Sequence, residues 1–310
     1  MDWQTVAAEI LRRAFAFGTP LLLATLGEIY AERAGVLNLG VEGMMALGAF
    51  SGFLAAFQTG NAWLGLVAAA LAGAAASLIH AFFSITVRTK IQVVSGIALS
   101  FFGLGITGVL GQGLEGKPLE ASLPIVHVPF LDRVPILGEA LAEQNILIYT
   151  GILLAFVLWF FLFRSSWGIA VRSIGEDPAA ADSLGVKVEL VRYLCVILGG
   201  TLAGMGGGYL SIVYRPSWTE GMTGGMGWIV IALTIFSFWN PLVAIGGAYL
   251  FGALFYLSYK LQPFFPPELL TMLPYLATIV VLVIVSASGS LRRKMGVPAA
   301  LGLPYDREGG

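Results

Sequence analysis

The sequence predicts an all-α fold, a polytopic membrane helix bundle of about nine transmembrane helices, within about eight to ten, including a broken second helix. Three observations predict it. Hydrophobic residues fill 57% of the 310 positions and charged residues only 11%, less than half of the roughly 25% charged in an average soluble domain. Apolar runs of spanning length, about 20 residues each, follow one another along the chain. Between them no polar stretch is long enough to hide a soluble domain, so residues 1–310 read as a single transmembrane domain.

The runs fall near 14–30, 36–57, 62–86, 92–111, 145–163, 190–213, 226–240, 241–259 and 271–288. Ahead of the first, MDWQTVAAEILRR carries Asp2 and Glu9 before its arginines and no clear small-residue cleavage site, so it is not read as a signal peptide. Residues 112–144, with Lys117, Pro118, Pro124, Pro129 and Pro135, read as an external loop with little periodic structure. The seventh and eighth runs are parted only by Trp239-Asn240-Pro241, where proline ends one helix and restarts another.

The second run contains too short an uninterrupted apolar part, MMALGAFSGFLAAF, to span, so the preceding VLNLGVEG is partly embedded. Asn38, Gly40, Glu42 and Gly43 then lie within the membrane, where non-helical backbone survives only inside protein or beside a wet cavity. A carboxylate there is costly without a partner or water, which makes Glu42 a functional candidate; the plain alternative is a helix cap at the interface. Glu28 and Glu32, at the end of the first run, read as interfacial. Glu220-Gly221-Met222 repeats Glu42-Gly43-Met44 ahead of another short apolar run, a pattern that inverted repeats leave in transporters and that chance also produces. Ser95, Ser100, Phe102 and Trp218 are further candidates for a polar or stacking path; serines also bond their own helix, and aromatics also meet lipid headgroups.

The interval 164–192 is the longest polar, charge-bearing stretch between two clear spans. Asp177 suits a helix N-cap, Pro178 the first helical position, PAAADSL about two turns, and Gly185 a left-handed stop. It is either an ordinary connector or a docking helix at the membrane surface. Placing it in the cytoplasm puts Arg33, Arg88, Lys90, Arg164, Arg172, Lys187, Arg192, Arg292, Arg293, Lys294 and Arg307 inside. Arg12, Arg13, Lys117, Arg133, Arg215 and Lys260 remain outside. The C-terminus is then cytoplasmic. Nine spans put the N-terminus outside, against Arg12 and Arg13, unless residues 3–13 lie flat as an interfacial helix.

Several function classes are excluded. A net charge of -1 and no long basic run argue against nucleic acid. No glycine cluster is followed by Lys-Ser or Lys-Thr, so the chain has no nucleotide loop of that type. His80 and His127 stand far apart without a Cys/His cluster, so no metal site is read; His80 reads as a hydrogen-bonded core residue. No catalytic Asp pair or Ser-His dyad is present, so no catalytic residue is assigned. Cys195 lies in an apolar run and reads as a packing residue. Gly200, Gly204 and Gly208, four apart, offer a smooth seam to a neighbouring helix.

Three stretches carry a family pattern. LGEIYAERAGVLNLGVEGMMALGAF resembles the N-terminal signature of the branched permease family of bacterial ABC importers, in its nucleoside and simple-sugar branch. GEDPAAADSLGVKVELVRYLCVILGGTLAGMGGGYLS resembles its coupling segment and following helix, and TEGMTGGMGWIVIALTIFSFWNP its third hallmark. The resemblance implies a non-catalytic permease subunit of an ATP-driven importer in the bacterial plasma (inner) membrane, forming the translocation path for nucleosides. A ribose- or galactose-like sugar is the alternative substrate, and an ion-coupled secondary transporter the alternative class. The implied partners are a homologous second permease subunit in a heterodimer, an ATPase with two nucleotide-binding cassettes, an extracytoplasmic substrate-binding lipoprotein and the lipid bilayer. ATP and Mg belong to the ATPase; this chain binds no cofactor. Within 164–192 the resemblance assigns coupling to Arg172, Gly175, Glu176, Asp177, Pro178, Ala180, Ala181, Asp182 and Gly185. The substrate path is expected at Asn38, Glu42, Met44, Ser95, Ser100, Phe102, Trp218, Thr219 and Glu220. Where relatives commonly carry Gly-Arg-Gly this chain has Gly225-Met226-Gly227, so any contact of that arginine is missing unless a partner subunit supplies it.

Overall fold

The computed structural model describes residues 3–88, 92–131, 134, 136–266, 269–270, 272–287 and 296–306. Lys90, Arg133, Pro135, Arg292, Arg293, Lys294 and Arg307, used in the sequence reading, lie outside them. Among the described residues seven helices are long and apolar enough to cross a membrane. These are α1 (Trp3–Arg33), α2 (Val41–Thr59), α3 (Ala62–Ala81, with a π-helical end Phe82–Thr86), α4 (Gln92–Leu110), α6 (Ile146–Arg164), α9 (Val188–Tyr209, with a π-helical end Leu210–Tyr214) and α11 (Pro241–Lys260). The expected runs at 226–240 and 271–288 form shorter helices, α10 (Met226–Phe236) and α12 (Leu273–Ala287). The helical membrane bundle is therefore present, with seven of the nine expected spans at full length.

α1 departs from expectation. It is one helix of 31 residues, about 46 Å long at 1.5 Å per residue, and no separate flat helix occupies residues 3–13. Arg12 and Arg13 are good helix formers, and nothing between them and Ala14 breaks the backbone ladder. The loop 112–144 also holds more structure than its prolines suggest. Strands β1 (Ile125–His127) and β2 (Glu143–Asn145) pair antiparallel, with the one-turn helix α5 (Leu137–Leu141) between them.

α9 forms the axis of the bundle because its glycines admit three neighbours. A Cβ at Gly200 would stand 2.3 Å from Ser77 Cβ, one at Gly204 2.2 Å from the Ala69 carbonyl oxygen, and one at Gly207 1.9 Å from the Met45 carbonyl oxygen. Each is closer than any side chain tolerates, so the backbones of α3 and α2 rest directly on α9. On a third side, a Cβ at Gly206 would meet the Pro20 carbonyl oxygen at 2.7 Å, while Arg192 Nε donates to the Ala34 carbonyl at 3.0 Å. α1 and α9 are thus antiparallel. Each leads into a non-helical segment, 36–40 or 215–225, and then into a helix, α2 or α10.

Trp239 and Asn240 turn the chain as expected. Phe238 and Trp239 take left-handed φ values of 55° and 51°, and Asn240 Oδ1 caps α11 by accepting from the Leu242 N–H at 3.0 Å. At the same end of the bundle lie α7 (Ser166–Glu176), α8 (Pro178–Ser183) and the C-terminal segment 296–306.

Candidate functional site: a helix junction and a docking end

Segment 36–40 is non-helical yet buried, with Val36 and Asn38 fully enclosed. Buried backbone of this kind must find partners elsewhere. His80 Nε2 stands 3.1 Å from the Leu37 carbonyl, Ser100 Oγ donates to the Leu39 carbonyl at 2.8 Å, and the Leu37 N–H donates to Gln92 Oε1 at 2.9 Å. Asn38 accepts from the Gly40 N–H at 3.0 Å and donates to Glu28 Oε2 at 3.0 Å, with Met44 Sδ at 3.8 Å. Ser95 Oγ lies 3.1 Å from His80 Nδ1. Thus α3 and α4 hold the segment through hydrogen bonds whose polar partners are spread over three runs of sequence.

Glu42, in the first turn of α2 and 2% exposed, closes the junction. Its Oε1 accepts from Thr223 Oγ1 at 2.5 Å and from the Gly225 N–H at 3.0 Å; its Oε2 accepts from the Gly227 N–H at 2.6 Å. Gly225, at φ 82°, turns the chain into α10, whose first amides lack partners within the helix. A carboxylate aimed at that positive end is the favourable complement. The starts of α2 and α10 therefore meet on one side chain, and a Cβ at Gly227 would strike the Glu42 backbone nitrogen at 2.3 Å. The break expected inside the second helix is instead the linker 36–40 ahead of it, since α2 runs unbroken from Val41 to Thr59. Met226, between the two glycines, is 6% exposed and packs into the main core.

Glu28 and Glu32, read from the sequence as interfacial, are both enclosed by protein, each 1% exposed. Glu28 meets Asn38, and Glu32 Oε2 accepts from Trp239 Nε1 at 2.5 Å. Their spacing at a helix end resembles a solvated face; the covering chain, Asn38 and Trp239, is distant in sequence.

The remaining expected path residues scatter. Met44 is fully buried in the core. Trp218 is 2% exposed, edge-on to Phe50 at 5.1 Å, so it offers no free ring face. Thr219 is half-buried, whereas Glu220 is exposed, with its backbone N–H on Glu115 Oε1 at 3.1 Å and its carboxylate against Gly108 of α4. Glu42 and Glu220 share a tripeptide but not an environment. Phe102 is exposed beside a cavity of about 580 Å³ between α3 and α4, which His80 and Ser95 also line. Sequence reasoning passed over Tyr275, whose hydroxyl donates to the Gly224 carbonyl at 3.3 Å and places an exposed ring near the junction.

At the α7–α8 end, Asp177 Oδ1 accepts from the Ala179 and Ala180 N–H groups, both at 3.0 Å, with Pro178 in the first turn of α8. Gly185 stops the segment at φ 85°, and a Cβ there would meet nothing within 4 Å. Glu176, Asp177, Ala180 and Gly185 are exposed, while Gly175 and Ala181 are buried. A Cβ at Gly175 would stand 2.1 Å from the Arg33 carbonyl oxygen, which seats α7 on the end of α1. Arg172 holds the Gly168 carbonyl at 3.3 Å and lies 5.4 Å from the Phe163 ring centre. Asp182 accepts from Tyr305 at 3.0 Å. Leu184, unremarked in the sequence, is 84% exposed at the tip, the largest exposure among the large hydrophobic side chains described. No group of three or more His, Cys, Asp or Glu side chains suited to a metal ion occurs among the described residues.

The chain is similar to several known proteins. A Haloferax volcanii protein bearing the name of a glucose ABC transporter permease, TsgC13, is 41% identical over 97% of this chain and 98% of its own length. The guanosine ABC transporter permease protein NupQ of Bacillus subtilis is 36% identical over 98% of each chain. The nucleoside ABC transporter permease protein NupC of Lactococcus lactis is 31% identical over 88% of this chain and 90% of its own. A solved structure described as an inward-facing conformation of a metal-chelate type ABC transporter superposes with a TM-score of 0.53 at 17% identity, covering 90% of this chain and 84% of that one, and shares the fold. The family described as branched-chain amino acid transport system / permease component matches residues 10–282, and the chain belongs to it.

Proposed function

We propose that the chain is one of two permease subunits of an ATP-driven ABC importer that carries nucleosides across the bacterial inner membrane. A capped, exposed α8 at one end of the helix bundle carries this reading. A helix with one buried residue, Ala181, and a protruding apolar tip, Leu184, is built to enter a groove on another protein. From the family to which the chain belongs, that protein is taken as an ATPase with two nucleotide-binding cassettes, which uses ATP and Mg. On this reading α7, α8 and the C-terminus are cytoplasmic. Arg33, Arg88, Arg164, Arg172, Lys187 and Arg192, which lie in or lead into that end, support the orientation.

The neighbourhood of the junction supports the substrate class. Phe101, Trp228 and Tyr275 expose ring surface along α4, α10 and α12, and Glu220 exposes a carboxylate beside α4. Rings stack on a planar base and a carboxylate accepts from ribose hydroxyls. Asn38, Glu42, Met44, Ser95 and Ser100 act behind this surface, by shaping segment 36–40 and the start of α10, whereas Phe102 lies exposed beside the α3–α4 cavity and Trp218, next to Thr219, packs on Phe50. A heterodimer with a homologous permease fits the missing arginine at Met226, and an extracytoplasmic binding lipoprotein delivers the solute. A sugar such as glucose is the second reading, since TsgC13 carries that name. Reconstituting the complete complex and measuring ATPase stimulation against a panel of nucleosides and hexoses decides it: stimulation by hexoses alone overturns the nucleoside assignment.

A further inference from the structure

The C-terminal segment 296–306 is a strap across the α7–α8 end. The Ala300 N–H donates to the Gly175 carbonyl at 2.8 Å, at the end of α7, and the Gly302 N–H donates to the Gly35 carbonyl at 3.0 Å, just before segment 36–40. Both Gly302 (φ 76°) and Gly35 (φ 84°) are left-handed, which lets the two backbones approach. Arg192 of α9 holds the Ala34 carbonyl with Nε and the Leu303 carbonyl with Nη1, at 3.0 and 3.4 Å. Tyr305 donates to Asp182 of α8 at 3.0 Å, and Asp306 pairs with Arg88, whose other nitrogen lies 3.4 Å from Glu189.

These contacts form a continuous route. α8 has a single buried residue of its own, so Tyr305 adds a second anchor between it and the strap. From there Gly302 reaches Gly35, and seven residues on stands Glu42, which holds the start of α10. Close-packed elements of this kind shift together rather than deform. We infer that the strap is a positioning element that carries displacement of α7–α8 to the Glu42 junction, in parallel with α9, and that Tyr305 is its link to α8.

The inference rests on α8 being the ATPase-docking element. The test uses the complete reconstituted complex with Tyr305→Phe and, separately, a chain ending at Pro304, and reads uptake per ATP hydrolysed for whichever solute stimulates the wild-type ATPase. Expected are intact assembly, basal ATPase activity within about twofold of wild type, and uptake per ATP lowered about fivefold. Wild-type uptake per ATP in both variants overturns the inference, as does loss of assembly in both, which would make the strap a fold staple alone. Leu184→Asp in the same preparation tests the underlying reading separately: retained ATPase association there overturns the docking role of α8, whereas loss there with unaltered strap variants overturns the strap only.

Discussion

Glu42 Oε2 and the Gly227 N–H, 2.6 Å apart, join the first turn of α2 to the first turn of α10. The two residues are 185 positions apart, so the contact depends wholly on how α2 and α10 are brought together. Thr223 and Gly225 complete the set, with Thr223 and Gly227 buried and Gly225 half-buried.

Removing that carboxylate strands two buried donors, the Thr223 hydroxyl and the Gly227 N–H, and the half-buried Gly225 N–H. Glu42→Ala is expected to destabilise the protein by about 2 kcal/mol or more, at about 1–3 kcal/mol for each buried unmet group, and Glu42→Gln by less because an amide oxygen still accepts. The single cysteine, Cys195, is buried, so its reaction with a thiol-specific dye on heating reports the transition. Equal midpoints for wild type and Glu42→Ala would show that the junction does not depend on the carboxylate.

Glycine on α9 divides sharply from glycine on the open face of α4. Gly204→Ala forces a methyl group to within 2.2 Å of the Ala69 carbonyl oxygen, whereas Gly105 has nothing within 4 Å. The first change is expected to cost about 1–3 kcal/mol through overpacking, and Gly105→Ala to be neutral or to stabilise by about 0.5–1 kcal/mol. The same thiol-reaction midpoints separate them; a Gly204→Ala protein as stable as Gly105→Ala contradicts the seam.

Gly185→Val places a β-branched residue at φ 85°, and Asp177→Ala removes a cap of about 1 kcal/mol. Both act on α8, which lies at the surface, so the bundle is expected to remain folded while uptake falls more than ATP hydrolysis does. Gly185→Val is expected to have the larger effect, since it misdirects the chain after the helix. Substrate-stimulated hydrolysis and uptake measured together on the intact assembly check this, and proportionate wild-type values in both variants remove α8 from coupling.

Glu220 is exposed and Glu42 buried, and the two are expected to differ in function as well. Glu220→Gln, on an exposed surface, is expected to raise the half-saturating solute concentration by about tenfold, the loss of one charge-assisted hydrogen bond of about 1.5 kcal/mol. Stability should be unchanged. Concentration-dependent uptake by the two variants is the measurement, and unaltered affinity in Glu220→Gln takes that carboxylate out of the path.

Much of the bundle was legible because a spanning helix is a local property: about 20 apolar residues and no competing polarity suffice. The α7–α8 hairpin was legible for the same reason, since Asp177, Pro178 and Gly185 each act on backbone within a few residues. α10 was read too long because hydropathy extends through turn residues such as Phe238 and Trp239, whose left-handed φ ends the helix. That protein encloses Glu28 and Glu32 was not legible, and the strap was not foreseen, because the partners that bury or bind them come from remote parts of the chain.

By itself the sequence determined where seven spanning helices run, that a polar stretch within VLNLGVEG opens the second run, that α8 is capped, and which family pattern the three marked stretches follow. Tertiary structure alone decided that Glu42 is a shared cap for α10 while Glu220 stays exposed, that α9 is the axis, and that the C-terminus ties α8 to Gly35. The physical reason is range. Helix formation and capping depend on neighbours within one or two turns, whereas the fate of a carboxylate or a glycine face depends on which distant backbone reaches it first.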